Sequence, residues 1–78
     1  MKLEIISPED ILFSGDVESV TLPGVSGRFS ILPGHAPIIS VLARGTLAYQ
    51  TGGQKKELEI DGGFIEMKAN VVSVCIDQ

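Results

Sequence analysis

A chain of 78 residues, 44% hydrophobic and 21% charged, fits one folded domain and argues against disorder. Its net charge of -4, from ten acidic against six basic residues, argues against binding a phosphate backbone. One cysteine (Cys75) and one histidine (His35) exclude an intrachain disulfide and a structural zinc site.

Leu3 and Ile5 alternate with Lys2 and Glu4, the period of a half-buried strand, and Ser7-Pro8-Glu9-Asp10 ends the run with turn residues. This apolar run is too short for a signal peptide, and Pro8 interrupts it. No segment approaches the roughly 20 apolar residues of a membrane-spanning helix. Ile11 to Asp16 follows, then Val17 to Leu22, where apolar positions 17, 20 and 22 slip by one and predict a bulge near Ser19. Pro23-Gly24 and Ser26-Gly27 punctuate a loop, and Phe29 and Ile31 form a short strand closed by Pro33-Gly34.

Ile38 to Leu42 is a short apolar run, Arg44-Gly45 a turn, and Thr46 to Thr51 a further strand. Gly52-Gly53 makes a hairpin connection to Lys55 through Ile60. After Gly62-Gly63, Ile65 and Met67 alternate with Glu66 and Lys68, and Ala69-Asn70 turns the chain into a last strand, Val71 to Ile76. No stretch sustains a 3.6-residue period. The pattern predicts a single all-β domain over residues 1–78, a two-sheet antiparallel β-sandwich or flattened barrel of about eight to ten short strands.

Two of these strands are apolar on both faces. Ile39 and Val41 point opposite to Ile38 and Leu42, and Val71 and Cys75 point opposite to Val72, Val74 and Ile76. A small antiparallel sandwich has one inner and one solvated face, so apolar outer positions predict a cover, either a partner subunit or, for a strand that crosses between sheets or lies under a loop, the chain itself.

Catalytic and ligand-binding patterns are weak. Any hydrolytic triad must use His35, and no G-x-S-x-G elbow is present. Gly24-Val25-Ser26-Gly27 lacks the Lys-Ser/Thr of a phosphate loop and precedes a strand, not a helix. No metal, cofactor or nucleic-acid partner is expected. Met67-Lys68 before a hairpin turn faintly resembles the lysine of biotin-carrying domains, but Ala69 replaces the second methionine. A stand-alone binding or carrier module is therefore the second reading.

The run Leu22-Pro23-Gly24-Val25-Ser26-Gly27-Arg28-Phe29-Ser30-Ile31-Leu32-Pro33-Gly34-His35-Ala36-Pro37 resembles the signature of the ε subunit of F-type ATP synthases. Phe13-Ser14-Gly15, Leu42-Ala43-Arg44-Gly45, Gly62-Gly63-Phe64-Ile65-Glu66 and Asn70-Val71-Val72-Ser73-Val74 resemble further blocks of that family, in order. The resemblance implies two stacked β-sheets and a non-catalytic rotor subunit at the foot of the central stalk. It implies binding to the γ subunit and contact with the membrane c-ring, peripheral to the cytoplasmic face of a bacterial plasma membrane. Ser7 and Ile38-Ile39-Ser40 fall where the family meets γ. Arg28 and His35 fall on loops expected to approach γ and the c-ring, although many relatives are acidic at the position of Arg28. The sequence stops at Gln78, after the last strand, where most bacterial relatives continue as two inhibitory helices. Coupling without inhibition is the corresponding expectation.

Overall fold

The computed structural model describes residues 1–77, and every regular element among them is a strand. The nine are β1 (Lys2–Ile6), β2 (Ile11–Asp16), β3 (Ser19–Gly24), β4 (Gly27–Ile31), β5 (Ile38–Leu42), β6 (Gly45–Thr51), β7 (Gln54–Ile60), β8 (Gly63–Lys68) and β9 (Val71–Ile76). They form one continuous hydrogen-bonded path that curls into two layers. One layer runs β2-β1-β9-β8-β5 and the other β4-β3-β6-β7. The expected two-sheet sandwich is present. All neighbours are antiparallel except β1 and β9, which run parallel from Lys2↔Val71 to Ile6↔Cys75.

The layers meet at two corners. At one, β3 and β5 share a single bridging pair, Gly24↔Leu42. The Val25 amide donates to the Val41 carbonyl there, and the Ala43 amide to the Pro23 carbonyl. Gly24 is required at this corner because a Cβ would lie 2.7 Å from the Gly27 carbonyl oxygen. At the other corner Phe13 of β2 packs on Tyr49 of β6, ring centroids 4.5 Å apart. Thr51 Oγ1 donates to the Asp16 carbonyl, and the Glu18 amide to the Gln50 carbonyl, both at 2.8 Å.

The core follows from period-two alternation. Leu3, Ile5, Ile65, Met67, Val72 and Val74 face inward from the first layer, and Val20, Leu22, Ile31, Leu47 and Ile60 from the second. No polar side chain among the described residues is buried, so the core makes no demand for internal hydrogen bonds.

Two sequence expectations are corrected. Val17 is buried yet belongs to no strand. The slip in alternation marks a break at Val17-Glu18, and β3 pairs from Ser19 onward without a bulge. The register shift lies instead between Ile5 and Ile6 of β1, opposite β2. Pro23-Gly24 is likewise strand and not loop: β3 and β4 close through the two residues Val25 and Ser26. The Gly52-Gly53 hairpin holds, with φ of 58° and 77° at its two central residues. Both of their amides donate to the Glu18 carboxylate, which ties the turn to the segment just before β3.

Candidate functional site

Strand direction sorts the loops onto two ends. Because β1 and β9 start together, Lys2, Asn70, the 32–37 loop and the Gly52-Gly53 turn share one end. The Ser7–Asp10 turn, Gly24–Gly27, Leu42–Gly45 and Gly62 share the other.

The residues singled out from the sequence divide between these ends and between the two faces of β5. Ser7 closes the β1–β2 turn: its amide donates to the Asp10 carbonyl at 2.9 Å and its hydroxyl to the same oxygen at 3.3 Å. Ile38 is half-buried against the core, whereas Ile39 is 75% exposed on the outer face. Ser40 lies opposite buried Ile65 and so turns away from Ile39. Only Ile39 of this trio presents itself outward.

Arg28 and His35 do not come together. Arg28, at the start of β4, donates from Nη1 to the Thr46 carbonyl at 2.7 Å, which pins its guanidinium across β3 onto β6. His35 sits at the opposite end. Its amide donates to the Leu32 carbonyl, its Nδ1 lies 2.7 Å from the Ala36 carbonyl, and the preceding Gly34 amide donates to Asn70 Oδ1. The Pro33–Pro37 loop is therefore a shaped projection clamped to the β8–β9 turn. Arg28 lies in β4 and not on a loop, and the antiparallel course of β4 carries the chain from one end to the other between Arg28 and His35.

The outer face of the five-strand layer holds the largest exposed apolar display. Register places Val41, Phe64, Cys75, Ile6 and Ile11 in one row across β5, β8, β9, β1 and β2. Val41 is 59% exposed and Phe64 51%. Beside its middle members the row opens into a depression of about 380 Å³ lined by Ile6, Ser7, Pro8, Phe64, Cys75, Ile76 and Asp77. A second, of about 440 Å³, lies beside Ile39 between Pro37, Ile38 and Glu66, Met67, Lys68. Phe64 was not among the residues marked from the sequence. Extending the Ile65/Met67 alternation back one step puts it on the outer face.

No cluster of three or more His, Cys, Asp or Glu suited to a metal occurs among the described residues. Lys68 is exposed at the end of β8, outward of the Ala69-Asn70 turn. No helix among the described residues is long and apolar enough to cross a membrane. What this surface can do is bind another protein: its core is complete without the outer row, so that row is free to be covered.

Comparison with known proteins agrees with this geometry. The family described as ATP synthase, Delta/Epsilon chain, beta-sandwich domain matches residues 1–78. The ATP synthase epsilon chain of Leptospira borgpetersenii is 44% identical over 77 residues, covering 99% of this chain and 61% of its own. That of Desulforamulus reducens is 40% identical over 76 residues, covering 97% and 58%. The chain thus spans about three fifths of the length of these relatives. Among solved structures, a chain of the Euglena gracilis mitochondrial ATP synthase (OSCP/F1/c-ring) superposes with a TM-score of 0.89 at 26% identity, covering 95% of this chain and 48% of that one. One from the Tetrahymena thermophila mitochondrial ATP synthase central stalk/c-ring superposes at 0.85 and 14% identity, covering 99% and 63%, a likeness of fold.

Proposed function

Because the chain belongs to the ATP synthase delta/epsilon-chain β-sandwich family, we propose that it is a central-stalk rotor element of an F-type ATP synthase. It docks on the γ subunit, approaches the c-ring, and turns with both, so that ion passage is coupled to ATP synthesis. It performs no chemistry itself and is held peripherally at the cytoplasmic face of a bacterial membrane through the complex. The sandwich contributes docking and coupling.

The observation that carries this reading is the exposed apolar row on a family-matched domain whose interior is already filled. Ile39 extends the apolar surface toward the 32–37 loop, and Ser7 borders the depression beside Ile6. His35 and Arg28, at opposite ends, suit contacts with two different neighbours better than with one.

Co-purification with the γ subunit of the same organism tests it. A stable complex is expected, with Ile39→Asp weakening it while leaving the thermal melt of the free chain unchanged, since Ile39 is solvent-facing. Absence of a complex with γ overturns the reading. Biotin attached in vivo at Lys68 would favour the carrier alternative.

A further inference from the structure

The outer face of the five-strand layer is ordered along β9 as well as across it. β9 presents the small or short side chains Val71, Ser73 and Cys75, and its neighbours β1 and β8 supply matched pairs beside each. Lys2 and Lys68 flank Val71, Glu4 and Glu66 flank Ser73, and Ile6 and Phe64 flank Cys75. The result is a trough with a low floor and two walls, basic at one end, acidic in the middle and apolar at the other. Among the described residues, the ion pair closing within it is the surface contact of Lys2 Nζ with Glu4 at 4.0 Å, of the kind that contributes little.

We propose that this trough seats one α-helical segment of the γ partner, a deepening that rests on the stalk reading above. The segment is apolar over Ile6 and Phe64, carries Lys or Arg over Glu4 and Glu66, and carries Asp or Glu over Lys2 and Lys68. Three features set this occupant. First, β9 is hydrogen-bonded on both sides, to β1 and to β8. It has no free edge for an added strand, so the guest must bring a backbone that is already satisfied, as a helix does. Second, the walls stand two strand spacings apart, about 9.6 Å, close to the width of one helix. Third, successive wall pairs lie two residues apart along the strands, about 6.7 Å, against about 6 Å for an i, i+4 step on a helix. The lag over two steps is about 1.4 Å, within side-chain reach. Charge complementarity then sets the direction in which the helix lies.

Calorimetric titration of the chain with purified γ tests the inference. Phe64→Ser is expected to weaken binding at least about tenfold. The double changes Glu4→Lys/Glu66→Lys and Lys2→Glu/Lys68→Glu are each expected to weaken it by a similar factor at low salt, with the loss shrinking at high salt. All of these side chains lie on the outer face, so thermal melts should match the parent. If wild type binds γ and Ile39→Asp weakens the complex but neither Phe64→Ser nor the charge reversals do, the trough proposal fails and the stalk reading stands. If only Phe64→Ser weakens it, the ordered charges are refuted. Self-association of the chain through this face, detected by light scattering and abolished by Phe64→Ser, would also overturn the proposal. If wild type fails to bind γ, both readings fall.

Discussion

Gly63 shows how much one position decides. Its φ is 141°, and a Cβ there would sit 2.1 Å from the Cys75 carbonyl oxygen, which belongs to the strand it pairs with. Backbone, not a flexible side chain, occupies that space, so relief requires β8 and β9 to part. Gly63→Ala should cost at least about 3 kcal/mol, because strain in φ adds to the clash. A urea titration of the two proteins measures the difference; a midpoint within error of the parent would contradict this account. The sequence shows the Gly62-Gly63 pair, but not the approach to Cys75. That approach depends on which strand lies alongside. Arg28 illustrates a related limit: its motif was visible, yet its bond to the Thr46 carbonyl arises because β4 and β6 flank β3 on its two sides, the two residues being 18 positions apart.

At the scale of elements, alternation revealed most strands because each buries one face. Leu3/Ile5, Ile65/Met67 and Val72/Val74 are all inward, as their spacing required. The Val17 slip was ambiguous because a break and a bulge shift the pattern by the same single residue. The β8–β9 turn was recognised, but its second task was not. Ala69 and Asn70 both have positive φ, 53° and 64°, the geometry of a type I′ hairpin. Asn70 adds an acceptor for the Gly34 amide and so fastens the Pro33–Pro37 loop. Asn70→Gly separates the two tasks. Glycine suits the backbone, so overall stability should change by less than about 1 kcal/mol. Gly34 loses its acceptor, and hydrogen exchange at its amide should quicken severalfold while core amides are unaffected. Unchanged exchange at Gly34 would show that the loop holds itself.

At the scale of the molecule, the two-layer architecture was legible from strand count and spacing, and the outer apolar positions from the two-faced runs in β5 and β9. The parallel pairing of β1 with β9 was not, because period two reports which face a side chain takes and says nothing of the neighbouring strand's direction. That pairing also hid the trough, whose walls come from residues as distant in sequence as Glu4 and Glu66.

The parallel pair has a consequence for how the chain is made. β9 is the only link between the β1–β2 hairpin and the β8–β5 pair within the first layer. Lys2 waits for Val71, 69 positions later, before its strand gains a second neighbour. During synthesis the β1–β2 hairpin therefore remains an unfinished sheet edge until β9 has been made, and closure of this layer is a single event dominated by long-range pairing. Ending the chain at Asn70 should leave pieces that cannot assemble: no cooperative melt and aggregation through the bare edges of β1 and β8. Supplying a Val71–Asp77 peptide in trans should restore the sandwich, read as the return of protection at the Glu4 amide, which faces β9 as the Lys2 amide does.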